Sequence, residues 1–487
     1  MLQADICQRA VRARDVRFDG IFFVGITTTR VYCRPVCPAR VSYPERRRFF
    51  ESAASAERAG FRPCLRCRPE LAPGRALMDA VPRLARLAAQ RIAAGALNGQ
   101  SVADLARELG VSERHLRRAL ERELGVSPAE LAQTHRLLLA KRLLAETSLP
   151  VTRIAFASGF QSLRRFNSVF RERYRLSPTA LRRAVPTSRV MPASPTGDFV
   201  TLTLAYRPPL DWPLLVARLA RDAVPGVTLV EGALYGRTVR LDGRTGAILA
   251  TDVATKSHLE VAVSLSLLPV LMPLLARLRH LFDLDAEPAM VDAHLALHGL
   301  AAAVRRRPGV RIPGAIDGFE VALRSLLQDG EEGDDCLRRV VEALGEEVET
   351  GLSGLTCLAP EPRRLVRAGA PALAALGVPR ERADAIVTVA RALDGGAIRL
   401  EPGRDVAATH RALMDMEGVG QRLATIIVMR ALYWPDAFPA SDPRLQRAAG
   451  TADRRELHEL AEPWRPWRAY AAQHLWLLDE EGRGPLD

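Results

Sequence analysis

Four cysteines have the type and spacing to hold a metal: Cys33 and Cys37, then Cys64 and Cys67. The pattern is C-x3-C, a gap of 26 residues, then C-x2-C. Two close pairs on either side of a loop wrap one tetrahedral ion, and four thiolates select zinc. A zinc-bound thiolate stays deprotonated, so it is a nucleophile that needs no general base. A purely structural zinc needs the same four ligands, and the spacing alone leaves both uses open. Disulfides are not expected. The first residues, MLQADICQRAVRAR, are charged from the start and lack an apolar signal core, and thiols of a chain that is not secreted stay reduced. Cys7, Cys336 and Cys357 have no partner spacing and read as ordinary thiols.

The flanking residues narrow the choice. Tyr32-Cys33-Arg34-Pro35-Val36-Cys37-Pro38-Ala39-Arg40 and Gly60-Phe61-Arg62-Pro63-Cys64-Leu65-Arg66-Cys67 resemble the zinc domain of the Ada family of methylphosphotriester-DNA methyltransferases and transcriptional activators. The resemblance runs from about Asp15 to Glu70. It implies one Zn2+ held by Cys33, Cys37, Cys64 and Cys67, with Cys33 as the methyl acceptor. A methylated phosphate is neutral and carries an electrophilic methyl, which direct displacement moves to sulfur. Nothing then releases the thioether, so the acceptor is spent after one turnover. The loss of a negative charge at the cysteine lessens repulsion of a nearby phosphate, a switch from repair to tight DNA binding. Arg34, Arg40, Arg46, Arg47 and Arg48 are the candidate phosphate contacts.

Length and charge agree with a DNA-directed protein. At 487 residues the chain is long enough for two to four domains. Its net charge of +13 is uneven: residues 1–190 carry 35 Lys and Arg against 16 Asp and Glu, a net +19, and the remainder is at −6. A basic front half is the footprint of a nucleic-acid ligand. Lys141 and Lys256 are the only lysines, an arginine bias that composition alone can produce, but the asymmetry between halves is not explained that way. Val261–Ala276, the longest uncharged apolar stretch, is too short for a membrane span and contains Pro269 and Pro273.

From about Leu77 to Arg183 the pattern is helical. Ser101 opens one helix with a capping-box-like start, Gly110-Val111-Ser112 turns the chain, and Ser112 caps a second helix, Glu113–Glu123. That is helix-turn-helix grammar, and Arg114, His115, Arg117 and Arg118 sit where a recognition helix meets base edges. The grammar recurs after a long helix of about Pro128–Glu146: Val151–Ala157, a turn at Ser158-Gly159-Phe160, then Ser162–Tyr174 with Arg164, Arg165, Asn167 and Arg171. An ordinary basic bundle carries the same charges. The stretch Ile154-Ala155-x-x-Ser158-Gly159-Phe160, with Phe166, Phe170-Arg171 and Leu176-Ser177-Pro178, resembles the second unit of the AraC family of activators. The resemblance implies promoter binding through Arg114, Arg117, Arg164, Arg165 and Asn167, and RNA polymerase as a partner. Ala184–Gly197, rich in Pro, Ser and Thr, reads as a linker.

Beyond it, Phe199–Ala205, Arg237–Leu241 and Ala247–Val253 read as strands, and the chain after about Val304 as nearly all helix. The segment Leu413-Met414-Asp415-Met416-Glu417-Gly418-Val419-Gly420-Gln421-Arg422-Leu423-Ala424 reads as a helix-hairpin-helix, whose glycines let backbone N–H groups approach a phosphate. Phe438-Pro439-Ala440-Ser441-Asp442 follows, and then Trp464-Arg465-Pro466-Trp467-Arg468-x-Tyr470-Ala471. Together with Asp211-Trp212 and Leu281-Phe282-Asp283-Leu284, these motifs resemble the AlkA family of DNA-3-methyladenine glycosylases. The resemblance implies Asp442 as catalytic carboxylate and Gly418, Gly420 and Arg422 at the DNA. Trp464 and Trp467 are candidates for replacement stacking on the flipped base, and motif tryptophans are more often core. An aspartate before a proline also reads as a plain helix N-cap. A lysine at the hairpin attacks the sugar in bifunctional relatives. Arg422 holds that position here and forms no Schiff base, so a monofunctional enzyme is expected. The family has tryptophan where this chain has Arg422 and tyrosine where it has Ile426. Its duplex wedge aligns with the acidic, glycine-rich Gln328–Asp335.

The expected fold class is multidomain α+β: a small zinc domain at 1–76, an all-α double helix-turn-helix domain at 77–184, a linker at 185–198, an α/β AlkA-type N-terminal domain at 199–303 and an all-α helix-hairpin-helix glycosylase domain at 304–487. The expected function is base excision of alkylated purines joined to methyl sensing and transcriptional activation. The cofactor is Zn2+, the ligand is double-stranded DNA at lesions and promoters, and the setting is cytoplasmic, at the nucleoid. The alternative is a methylation-sensing zinc transcription factor whose glycosylase domain no longer catalyses. No Pro-Cys-His-Arg motif occurs, so O6-alkylguanine transfer is not expected.

Overall fold

A computed structural model describes residues 3–39, 42–73, 83–184, 198–327 and 331–482. Arg40, most of the linker and Gln328–Gly330 of the expected wedge lie outside the described residues.

The zinc unit is built on a four-stranded sheet, β1 (Phe23–Ile26), β2 (Val31–Cys33), β3 (Arg47–Phe50) and β4 (Arg62–Pro63), in the order β3-β1-β2-β4. Alternation along β2 turns Tyr32 inward, fully buried against Phe23 with ring centroids 5.7 Å apart, and leaves Cys33 on the other face. Gly25 lets the two layers meet. A Cβ there would stand 2.7 Å from the Phe50 ring and 2.8 Å from that of Phe61.

The helical unit follows the sequence closely. Ser101 and Asp104 close a capping box at Val102–Glu108, and Ser127 and Glu130 another at Pro128–Glu146. The two candidate recognition helices are Glu113–Leu124 and Leu163–Tyr174, each capped by a serine. Pro128–Glu146 is buried along most of its length, because it packs on the zinc unit, both helix-turn-helix units and the following sheet.

That sheet is five-stranded and antiparallel: β5 (Phe199–Ala205), β6 (Thr228–Glu231), β7 (Leu234–Leu241), β8 (Arg244–Val253) and β9 (His258–Ser264), in the order β5-β9-β8-β7-β6. Three of these strands were expected. β6 pairs with β7, and β9, which alternates buried Leu259, Val261 and Val263 with half-buried neighbours, pairs with both β5 and β8. The remainder is helical apart from a two-residue ladder between Glu346–Glu347 and Cys357–Leu358.

One apolar core runs from the second helix-turn-helix unit into the sheet, taking in Leu143, Phe166, Leu202, Ile248 and Leu274. The regulator-like half and the glycosylase-like half are therefore packed together. Among the described residues no helix is long and apolar enough to cross a membrane.

Candidate functional site

The parallel pairing of β2 with β4 sets Tyr32 opposite Pro63, so the next residues, Cys33 and Cys64, come side by side. The Cys64 N–H donates to the Tyr32 carbonyl at 3.0 Å. The four candidate ligand sulfurs all lie within 4.8 Å of one another. A zinc with Zn–S bonds near 2.3 Å needs sulfurs about 3.8 Å apart, so the donor set fits the ion in number, chemistry and size. Backbone N–H groups of Arg34 and Arg66 reach Cys67 Sγ at 3.4 Å and Cys64 Sγ at 3.3 Å. In the thiol cluster, a hydrogen bond with Cys37 pushes Cys33 up, and one with Cys33 holds Cys64 down. A bound dication makes all four thiolates instead. Cys64 and Cys67 are buried, whereas Cys33 and Cys37 are partly open to an incoming electrophile.

Arg34 departs from expectation. Its guanidinium is held by Asp19, with Nε 2.8 Å from Oδ1, and by the Cys67 carbonyl at 3.2 Å. The side chain braces the metal site rather than standing free for a phosphate. Arg47 is likewise taken up by Gln8 and Ser42, while Arg46 and Arg48 are exposed.

The recognition helices present the expected faces. Leu116, Leu120 and Leu124 are buried on the first, and Arg114, His115, Arg117 and Arg118 are exposed. On the second, Phe166, Val169, Phe170 and Tyr174 are buried, Arg164, Arg165 and Arg171 exposed, and Asn167 half-buried.

The hairpin joins Val406–Met414 to Gln421–Ala431. Gly418 has φ +79°, and a Cβ there would come within 2.6 Å of the Ala385 Cβ. Gly420 caps the second helix without a side chain, so the N–H groups of its first turn are left for a ligand. Asp442 is the N-cap of Pro443–Ala449 and is 3 % exposed. Its Oδ1 accepts from the N–H of Arg444 at 3.0 Å and of Leu445 at 3.4 Å, and from Trp476 Nε1 at 3.3 Å. Arg422 Nη1 reaches its Oδ2 at 3.3 Å. The N-cap and the catalytic readings are therefore compatible: one oxygen caps the helix and the other faces Arg422.

Three family models match the chain: the metal-binding domain of Ada over residues 6–70, a helix-turn-helix domain over 105–184 and the AlkA N-terminal domain over 201–317. A probable bifunctional transcriptional activator/DNA repair enzyme AlkA of Mycobacterium tuberculosis is 37% identical over 96% of this chain and 95% of its own. This chain belongs to that AlkA family. DNA-3-methyladenine glycosylase 2 of Escherichia coli is 31% identical over 56% of this chain and 96% of its own. The bifunctional transcriptional activator/DNA repair enzyme Ada of the same organism is 33% identical over 30% of this chain and 40% of its own. A solved 3-methyladenine DNA-glycosylase of Archaeoglobus fulgidus matches with 19% identity and a TM-score of 0.49, over 58% of this chain and 99% of that one.

Within this AlkA-family chain the two motif tryptophans sit in different settings. Trp464 is 3 % exposed, packs on Phe438 and donates its indole N–H to the His298 carbonyl at 2.9 Å, so it is core. Trp467 is partly exposed, with its ring edge-on to His294. The tryptophan that touches the carboxylate is Trp476, which the motifs did not single out. The buried His280 and Arg142 and the half-buried Tyr433 line a cavity of about 1190 Å³ at the junction of the units, whose walls do not include Asp442. The acidic residues Asp334 and Asp335 lie in the first turns of the helix Glu331–Leu344, where negative charge suits the helix dipole, and pair with Arg324 and Arg338.

Proposed function

We propose that this AlkA-family protein is a DNA alkylation-repair enzyme and transcriptional regulator in one chain. Its glycosylase hydrolyses the bond between sugar and alkylated base, and its zinc unit takes a methyl group from a DNA methylphosphotriester onto Cys33. The two are divided at the boundaries read from the sequence.

Base release needs the target flipped from the stack. As the C1′–N bond breaks, its electron pair leaves with the base and the sugar becomes oxocarbenium-like. Asp442 Oδ2 stabilises that cation and orients the attacking water, while the hairpin N–H groups around Gly418 and Gly420 hold the strand by a phosphate. The observation that carries this reading is the division of labour at Asp442, whose Oδ1 is saturated by the helix N-terminus and Trp476 while, among the described residues, Oδ2 has a single side-chain partner, Arg422. With Arg422 rather than a lysine at the hairpin, no strand cleavage follows.

A zinc ion held by Cys33, Cys37, Cys64 and Cys67 would keep their sulfurs ionised. Cys33 Sγ attacks the methyl carbon, the C–O bond breaks, and its electron pair restores the phosphodiester anion. The methylated sensor then binds promoter DNA through the two basic recognition helices, with RNA polymerase as the further partner. The protein works in the cytoplasm, at the nucleoid.

The deciding experiment is release of 3-methyladenine from methylated duplex DNA by the wild type and by Asp442→Asn. Release by the wild type, reduced about a hundredfold or more in the variant, is the expected result. No release by either, from duplexes holding 3-methyladenine or the neutral 1,N6-ethenoadenine, with methyl transfer to Cys33 intact, favours the second reading, a sensor-regulator whose Asp442 is locked by Arg422.

A further inference from the structure

The two oxygens of Asp442 are not equivalent. Oδ1 is committed to Arg444, Leu445 and Trp476, and Oδ2 shares its position with the Arg422 guanidinium at 3.3 Å. The Arg422 side chain is 28% exposed against 4% for Asp442, so the cation stands on the open side of the carboxylate. Ile426 lies one turn along the same helix face and is half-buried. Trp464, which has an aromatic face to offer a cation, is buried, and Trp467 packs on a histidine.

We propose that Arg422 is a specificity-determining residue, which selects uncharged damaged bases over bases that carry a fixed positive charge. The proposal rests on the glycosylase reading and names its substrate class. A ring-alkylated purine such as 3-methyladenine is cationic in DNA, and a guanidinium beside Oδ2 opposes its approach. It also offsets the negative field that draws such a base in. The aliphatic side chain of Ile426, one turn along, supplies no cation–π attraction to compensate. A neutral base has the opposite need. It leaves with the electron pair of the C1′–N bond and becomes an anion, and a guanidinium donates hydrogen bonds to a ring nitrogen or carbonyl oxygen in that state. Water supplies hydroxide to C1′, and its remaining proton ends on the departed base, so the hydrolysis balances with no further reactant.

The test compares the full-length wild type with Arg422→Gln, which keeps donors and loses the charge. The cationic substrates are 3-methyladenine and 7-methylguanine in methylated duplexes, and the neutral ones are hypoxanthine and 1,N6-ethenoadenine. The expected result is a rise of tenfold or more in the ratio of cationic to neutral kcat/KM for the variant. An unchanged or reversed ratio overturns the proposal. If neither protein releases any base, the glycosylase reading fails, and binding decides the role of Arg422 separately. Duplexes holding a cationic pyrrolidine or a neutral tetrahydrofuran in place of the nucleotide are then titrated by fluorescence anisotropy. Arg422→Gln should favour pyrrolidine over tetrahydrofuran by about tenfold relative to wild type, and equal selectivity in the two proteins overturns the proposal.

Discussion

Two glycines only two residues apart in sequence, Gly418 and Gly420, separate folding from binding at the hairpin. Gly418 adopts φ +79° and has the Ala385 side chain where a Cβ would go. Gly418→Ala therefore meets backbone strain and a clash together. We expect a loss of about 1–3 kcal/mol of stability, read in a denaturant melt, with duplex affinity falling alongside. Gly420 has an ordinary φ of −71° and open space around it. Gly420→Ala should melt within about 0.5 kcal/mol of the wild type, while a methyl group at the phosphate-facing turn weakens binding of undamaged duplex. Equal effects of the two substitutions on melting would show that the hairpin glycines serve the fold alone.

At the scale of elements, the zinc unit is tied to the long helix Pro128–Glu146 through Glu57. Glu57 is buried, accepts from Tyr32 Oη at 3.1 Å and Thr134 Oγ1 at 3.0 Å, and has Arg173 3.8 Å away and Lys141 beyond. Burial pushes its carboxyl up to about 7 from an ordinary 4.5. A carboxyl whose folded value is raised gives stability that is full below the unfolded value and is lost as pH rises through the folded one. Melting temperature should accordingly fall between about pH 5 and pH 8, by an amount worth on the order of 3 kcal/mol. Glu57→Gln, which mimics the protonated form, should flatten that slope, and a variant with the wild-type slope would assign it to other groups. The same unit should bind zinc one to one. Chelation leaves four sulfurs within 4.8 Å without the ion that holds them, so metal removal should unfold the sheet around β2, as a loss of zinc content paired with a lower first melting transition.

At the scale of the whole molecule, what was legible in the sequence is what local rules control. Cys33 and Cys37 are four residues apart, Ser127 caps three residues ahead, and Gly418 needs only its own φ. What was not legible came from distance along the chain. Trp476 meets Asp442 across 34 residues, and Trp464 matches a motif that says nothing of which side of the core its ring takes. Most hidden of all was the junction between halves. Glu146 sits with 2% of its side chain exposed, paired to Arg68 at 2.8 Å and Arg142 at 3.1 Å, and accepting from the Thr203 N–H of β5 at 3.2 Å. Arg68 follows the zinc ligand Cys67 directly, and Lys141, which pairs with Glu70, reaches the Cys64 carbonyl at 3.4 Å. One carboxylate thus joins the zinc unit, the helical unit and the glycosylase-side sheet. Removing it leaves the buried Arg142 guanidinium without a carboxylate, while Arg68 keeps Glu70 at 3.1 Å; an uncompensated buried charge costs about 3–5 kcal/mol. Because the same residue crosses the boundary, the loss should fall on the junction: Glu146→Ala is expected to split one calorimetric transition into two, with the basic front half melting first. A single transition shifted as a whole would mean that the shared apolar core, from Leu143 to Leu274, couples the halves without help from the ion pairs.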